Sequence, residues 1–564
     1  MTKVKKTDNT FLPSKVFEER AENLSKQELM AWSVETSQDR EILNKLQGLG
    51  AKLLSGPRGS GKSTLLRKAY YNLLDAGEIL PVYVNYSQSL ALEPLFHNYA
   101  NASQIFRKWV LFKIVEGIYR AFEDAEKDMS KNLRKYASVA MAFIRELEQG
   151  NVPYLEKKAI NPSEFRVILE QWSHENGFVG CVLLLDDATH AFSSVQQREF
   201  FEIFRCLKSR TVSSKAAVIP GITSYSPNFL LGHDTQLVEV WHQPEEDGYL
   251  EFMTEVIKRR LPPDLMNSLV KKGELVDYLA LAAFGLPRSF LFMISLLLGI
   301  EEESSKKPSI SLAKQAISTH CSIIRLEFQS LSAKLPQYSQ FIEMGGKLEN
   351  AKVNHLKRYN QSRYAHKKTV VVGIAEPVEP ALSQILALLE YAGIIRPMGV
   401  IHRGNKLFYR KYALHYAIDI NENSLSLGHN YALSTLITAL TKRDPHAVTL
   451  SRGIGLLGRD FQMLCALDLP PCQNCGTARV YEEAKFCVEC GRRLLKFSIY
   501  EELLKGTIDK LPLPKKKIEA LKKQTSIRTV EDILLDEENI MQINGIGAFW
   551  ANRIHNAALE FVGG

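Results

Sequence analysis

Gly56-Pro57-Arg58-Gly59-Ser60-Gly61-Lys62-Ser63, followed by Thr64, have the types and spacing needed to hold a polyphosphate. Glycines let backbone N–H groups close around phosphate oxygens. Lys62 places a cation at the β/γ position, and the Ser63 hydroxyl can ligate Mg²⁺ at a helix N-terminus that favours anions. The context agrees, because Leu53 and Leu54 end an apolar strand and Thr64 to Ala69 begins a helical pattern. A second constellation is Cys181-Val182-Leu183-Leu184-Leu185-Asp186-Asp187, an apolar run that would deliver two acids to the C-terminal edge of a buried parallel strand. Beside a phosphate loop, Asp186 is expected to hold the Mg²⁺ shell and Asp187 to orient or deprotonate an attacking water. Alone, the same run would also fit a strand ending in solvated acids.

Cys472-Gln473-Asn474-Cys475 and Cys487-Val488-Glu489-Cys490-Gly491 form two Cys-x-x-Cys pairs. Each pair can curl both sulfurs toward one ion, and four sulfurs suit tetrahedral Zn²⁺ with no open position, a structural rather than a catalytic site. A redox dithiol is the alternative, without a thioredoxin-like context to favour it. The remaining cysteines, Cys181, Cys206, Cys321 and Cys465, are scattered in apolar settings, the usage of a reducing compartment.

The elements that position these groups follow from the pattern around them. Pro81 to Ser87 and Lys215 to Ser224 read as further strands, giving the order strand, helix, strand, long helical segment, strand, helix, strand. That order is a doubly wound parallel sheet. Residues 101–150 carry Ile105, Trp109, Phe112, Val115, Tyr119 and Phe122 at helical spacing, a helical insertion whose aromatic stripe belongs to the core. Across 564 residues, a multidomain α/β chain is expected. It comprises a helical lead-in (1–44), a phosphate-loop core (45–245), a helical lid (246–330), a helical and hairpin segment (331–420), a helical connector (421–470), the cysteine module (471–495) and a C-terminal all-α module (496–564).

Over residues 20–320 these motifs resemble the AAA+ and STAND classes of P-loop ATPases, particularly the branch related to origin-recognition initiators. The resemblance implies ATP as ligand. It puts Thr223 or Ser224 at the sensor position reading the γ-phosphate, and makes Gly285-Leu286-Pro287-Arg288 the lid motif that brings Arg288 to the nucleotide. A helix-capping glycine before a proline is also ordinary punctuation. Two departures from the family pattern point to slow hydrolysis. Asp187 stands where AAA+ motors usually carry Glu, and hydroxyls stand where initiators commonly have Asn. Two aspartates are frequent in STAND proteins, which use nucleotide exchange as a switch. Arg205 and Arg210 are candidates for an arginine finger reaching a neighbouring subunit, or are solvated helix residues.

Beyond the lid, Ile394 to Ile401 and Leu407 to Ala413 read as a hairpin after a helical Gln384 to Leu389, and this resembles a winged helix. Its wing offers Arg396, Arg403, Lys406, Arg410 and Lys411, with Arg358, Arg363, Lys367 and Lys368 nearby, as phosphate contacts; such domains also dock proteins. The cysteine module resembles a short zinc ribbon. In the last sixty residues, Ile543-Asn544-Gly545-Ile546-Gly547 leading to Ala551-Asn552-Arg553-Ile554 closely resembles a helix-hairpin-helix. There Gly545, Ile546 and Gly547 would bring backbone to a DNA phosphate, with Arg553, Lys522, Lys523 and Arg528 adding cations. A tandem hairpin used for protein contacts is the alternative.

Composition adds limits. Hydrophobic residues make up 45% and charged residues 24%, ordinary for a soluble globular chain, and a net charge of +8 proves no polyanion partner by itself. Phe290 to Ile300 is too short to span a bilayer and the N-terminus lacks a signal-peptide core, so a cytoplasmic protein with no membrane contact is expected. No nuclease, methyltransferase or protease constellation is visible. The combined reading is an ATP-, Mg²⁺- and Zn²⁺-binding switch ATPase that binds duplex DNA with weak sequence preference. It would act in DNA processing or bacterial (antiviral) defence, with an effector protein as partner and possible homo-oligomers. The rivals are a nucleotide-switched signalling scaffold and a DNA-remodelling motor.

Overall fold

The computed structural model describes residues 15–563 apart from 19, 88, 96–98, 100, 153–160, 190–193, 222, 301–305, 362–363, 365–366, 405–406, 429–430, 443, 445, 480–483, 485, 495–497 and 537–539. Ser25 and Thr36 start helices α1 (Lys26–Trp32) and α2 (Ser37–Gln47) through reciprocal capping boxes with Glu28 and Asp39. The core continues as β1 (Lys52–Ser55), α3 (Lys62–Ala76), β2 (Ile79–Asn85), α4 (Ala102–Asp124), α5 (Lys131–Glu148), α6 (Pro162–Glu175), β3 (Gly180–Asp186), α7 (Ser194–Cys206), β4 (Val212–Val218) and β5 (Gln236–Glu239). All five strands are parallel in the order β2-β3-β4-β1-β5. The phosphate loop after β1 and the acids ending β3 therefore emerge at the same, C-terminal, edge of the sheet.

The apolar runs behave as their patterns dictate. β3 is buried at every position, and Ile105, Trp109, Phe112, Val115 and Phe122 of α4 are core residues. Strand β5 escapes sequence reading because only Val238 of its four residues is buried.

Helices α8 (Tyr249–Lys258), α9 (Pro263–Val270), α10 (Gly273–Ala282), α11 (Pro287–Leu298) and α12 (Ile310–Lys334) follow the sheet. A second unit holds α13 (Ser339–Gln361), β6 (Val371–Ala375), α14 (Pro380–Tyr391), β7 (Ile395–Arg403), β8 (Leu407–Leu414), α15 (Tyr416–Asn421), α16 (Leu433–Thr441), β9 (Thr449–Ser451) and α17 (Gly453–Leu457). Its sheet runs β7-β8-β6-β9, with β7 and β8 as the expected antiparallel hairpin. Residues 421–470 are more than a connector, since β9 pairs in parallel with β6.

After the cysteine module come α18 (Ile499–Leu504), α19 (Lys515–Gln524), α20 (Val530–Leu535) and α21 (Ala548–Gly563). Their buried residues, among them Leu521, Ile533, Trp550 and Ile554, belong to the same apolar cluster as Phe284 before α11 and Phe290 and Met293 within it. The C-terminal module thus shares a core with the helices that follow the sheet, whereas the parallel sheet has its own. Among the described residues, no helix is long and apolar enough to cross a membrane.

Candidate nucleotide and metal sites

Close packing fixes the path of the phosphate loop. A Cβ on Gly56 would lie 2.3 Å from the Val240 carbonyl oxygen beyond β5. Gly59 has φ +78°, the left-handed region that favours glycine, and a Cβ there would meet the Arg288 side chain at 3.0 Å. Lys62 Nζ donates to the carbonyls of Gly56 at 2.6 Å and Pro57 at 2.9 Å. Burial pulls its ammonium down to about 8, against the attraction of Asp186 and Asp187. Arg58, Gly59, Ser60, Gly61, Lys62, Ser63 and Thr64 all line one cavity of about 790 Å³, which Asp187 and Arg288 also face.

Asp186 is 1% exposed. Its Oδ2 accepts the Tyr83 phenol at 2.9 Å, its Oδ1 accepts the Asp187 N–H at 3.1 Å, and the Ser63 hydroxyl bonds to it as well. Burial, then the neighbouring Asp187, pushes its carboxyl up to about 7. Two carboxylates and a hydroxyl gathered where protonation is favoured form an oxygen donor set for a hard divalent cation, so Ser63 and Asp186 fit Mg²⁺. Asp187 adopts φ +52°, a left-handed conformation that aspartate tolerates better than most residues and that breaks the strand alternation at the second acid. Tyr83 escapes sequence reading, since a lone phenol in the apolar β2 is its only signal.

The turn before α11 sets the position of Arg288. At Gly285, φ is +83° and a Cβ would stand 1.8 Å from the His242 carbonyl oxygen, so only glycine fits. The Trp241 indole donates to Phe284 O at 2.8 Å and the Tyr249 hydroxyl to Ala280 O at 2.6 Å, fixing the turn. Pro287 opens α11 and Arg288 lies over the phosphate loop, 2.9 Å from Glu560.

The sensor expectation needs correction. Thr223 Oγ1 donates to Ile219 O at 2.7 Å, Ser224 N donates to the Gln197 side chain at 2.6 Å, and neither lines the cavity. The chain turns away at Gly221, whose Cβ position is 2.4 Å from Ala387 O of α14, leaving apolar Ile219 at the wall. Arg205 pairs with Glu202 at 2.6 Å, and Arg210 is exposed.

No protein-family model and no curated protein sequence matches the chain. Solved structures similar to it include Cdc6p from Pyrobaculum aerophilum, at 14% identity and a TM-score of 0.30, covering 73% of this chain and 97% of that one. The Aeropyrum pernix ORC1 protein in complex with DNA matches at 14% and 0.27, covering 69% and 91%. AMPPCP-bound DnaA from Aquifex aeolicus matches at 14% and 0.23, covering 52% and 81%. Similarity at this level carries no argument about ligand or activity, which rests on the residues of the sites themselves.

The four cysteine sulfurs lie within 4.8 Å of one another. Cys472 and Cys490 are 3.5 Å apart, as are Cys475 and Cys487, near the separation of about 3.8 Å that four Zn–S bonds of about 2.3 Å impose on a tetrahedron. Both knuckles have one backbone plan. Gly476 N–H bonds to Cys472 O and Gly491 N–H to Cys487 O, with φ of +73° and +67° turning the chain. The Thr477 hydroxyl and N–H draw the Cys475 thiol down to about 6. Among the described residues the apolar cluster here is Cys472, Cys487 and Leu494 with two partly buried neighbours, so a metal held by the four cysteines would contribute much of the module's stability. Strong chelation is expected to release one Zn²⁺ per chain and expose residues 471–494 to protease while the sheet stays folded; Cys475→Ala should purify with little Zn²⁺ by atomic absorption.

The proposed DNA contacts divide. Lys523 and Arg528 are exposed, Lys522 pairs with Asp509 at 2.5 Å, and Gly545 has φ +84° in a hairpin braced by Lys517 Nζ on Gly545 O at 2.8 Å. Gly547 accepts the Ala551 N–H at the start of α21. Ile546 is 2% exposed and anchors the hairpin from inside, so its side chain reaches no phosphate. Arg553 lies 3.8 Å from the ring centroid of Phe292 in the lid. In the β7–β8 hairpin Arg403 is exposed, and Arg410 pairs with Glu376 at 2.8 Å. Arg396 is instead 2% exposed, paired with Glu245 and packed on Trp241 and Phe284, and Lys368 is buried on Asn360 O. Lys406 and Arg363 lie outside the described residues.

Proposed function

We propose that the chain is an ATP-binding switch ATPase whose nucleotide state governs binding to duplex DNA. The observation that carries this reading is the convergence of Lys62, Ser63, Asp187 and Arg288 on one cavity from the loop after β1, the end of β3 and α11, with the buried Asp186 bonded to Ser63 beside it. Backbone N–H groups of 59–63 cradle the phosphates, Lys62 exchanges its loop carbonyls for phosphate oxygens, and Arg288 and Arg58 face the terminal phosphate. Ser63 and Asp186 would hold Mg²⁺, which when bound would neutralise phosphate charge. Asp187 takes the proton of a water whose oxygen bonds to the γ-phosphorus as the bond to the β–γ bridging oxygen breaks, leaving ADP and phosphate. The apolar side chain of Ile219 offers no hydrogen bond where a sensor would stand, which supports slow turnover and a switch over a motor.

For DNA, the exposed Lys523 and Arg528 beside the Gly545 hairpin are phosphate contacts without base readout. Arg403 adds to them from the β7–β8 hairpin, which we take as the wing of a winged helix. A role in DNA processing or bacterial defence, with a partner doing the covalent chemistry on DNA, rests on the sequence resemblance.

The test is binding of a mixed-sequence duplex across a salt series. Wild type should lose affinity steeply between 50 and 200 mM salt, by on the order of 10³-fold for about six phosphate contacts. Replacing Lys523 and Arg528 together by alanine should lower the log–log slope by about 2. A salt-insensitive interaction, or none, would sink the DNA reading and favour the protein scaffold.

A further inference from the structure

The last helix of the chain forms a wall of the nucleotide cavity. Asn552, His555, Leu559 and Glu560 of α21 face the same space as Lys62 and Asp187. One oxygen of the Glu560 carboxylate is 2.9 Å from Arg288 Nη1, and the other is 3.9 Å from Arg58 Nη1. Arg58 belongs to the phosphate loop and Arg288 to the lid, so one side chain from the far end of the sequence bridges both. The helix is fastened further by Lys334 Nζ on Glu560 O at 2.7 Å and by Arg553 on Phe292.

A carboxylate and a terminal phosphate present the same chemistry to a guanidinium, namely anionic oxygens that accept its N–H groups. The two anions compete for the N–H groups that Arg58 and Arg288 turn toward Glu560. A diphosphate ends one group short of this pair, whereas a triphosphate brings a γ-phosphoryl group toward it. We propose that Glu560 is a specificity-determining residue that sets the preference between ATP and ADP, because the γ-phosphate must displace its carboxylate from Arg58 and Arg288 and so undock α21 from the lid.

This rests on the nucleotide-site reading above. Burial alone would raise the Glu560 carboxyl, but Arg288, Arg58, Arg20 and Lys334 outweigh it and hold it down to about 2, so the competing anion is present throughout the neutral range. Undocking would also free Arg553 from Phe292.

Affinities of the full-length protein for ADP and for a non-hydrolysable ATP analogue, with and without Glu560→Gln, test the proposal. The amide keeps the size and loses the charge. The variant should bind the triphosphate about tenfold more tightly and ADP within twofold of wild type. Equal shifts for both nucleotides, or weaker triphosphate binding, would overturn it.

Hydrogen exchange in the unmutated protein gives a second readout that does not depend on the variant folding. Amides of 548–563 should exchange faster with the analogue than with ADP, and equal protection in the two states would contradict undocking. Failure of the wild type to bind either nucleotide would instead remove the nucleotide-site reading, and the proposal with it.

Discussion

Lys62→Ala is expected to weaken ATP binding by about 100-fold or more. Its ammonium is the phosphate loop's own cation, and charge-assisted hydrogen bonds to phosphate oxygens are each worth about 1.5–3 kcal/mol. Its present partners, the carbonyls of Gly56 and Pro57, lie in a loop whose course is also fixed by Gly56 against Val240 and Gly59 against Arg288. The alanine variant should therefore stay folded and lose ligand response selectively. Saturating ATP should raise the melting temperature of wild type, by linkage of binding to folding, and leave that of the variant unmoved. A variant that keeps the full shift would remove Lys62 from the phosphate site.

Asp187→Asn should lower the rate of phosphate release by about 100-fold or more while changing ATP affinity less than twofold. Proton acceptance by a positioned side chain contributes roughly 10²–10⁴-fold, and an amide cannot take the proton. The substitution is a clean one because asparagine, like aspartate, tolerates the left-handed conformation found at this position, φ +52°. Asp186→Asn acts differently, since that side chain is buried between Ser63, Tyr83 and the Asp187 N–H and would affect Mg²⁺-dependent binding itself. An unchanged rate in Asp187→Asn would move the proton acceptor to another residue of the cavity.

The parts of the site that sequence makes legible are those built from short, contiguous patterns. The loop from Gly56 to Ser63 and the apolar run into Asp186 and Asp187 are contiguous and follow β1 and end β3, and the two cysteine pairs are each contiguous, with their four sulfurs within 4.8 Å of one another. What stayed hidden depends on long-range packing. Glu560 meets Arg288 across 272 positions, and nothing local marks it among the other charges of an amphipathic helix. Thr223 and Ser224 look like sensors by position, but Gly221 packs on Ala387 of the second unit and turns the chain aside. Arg396 reads as a surface cation of the hairpin, yet Glu245, Trp241 and Phe284 enclose it. Ile546 sits between two glycines of a phosphate-binding pattern, but an apolar side chain there goes inward. Strands β5 and β9 are too short and too polar in part to show the alternation that reveals strands.

The central claim is that nucleotide state governs DNA binding, and one titration tests it. Full-length protein is titrated with a fluorescent mixed-sequence duplex at fixed salt, first with ADP and then with a non-hydrolysable ATP analogue, both saturating. At least a tenfold higher DNA affinity in the triphosphate state is the predicted result. Equal affinity in the two states, in a protein shown to bind both nucleotides, would contradict the account.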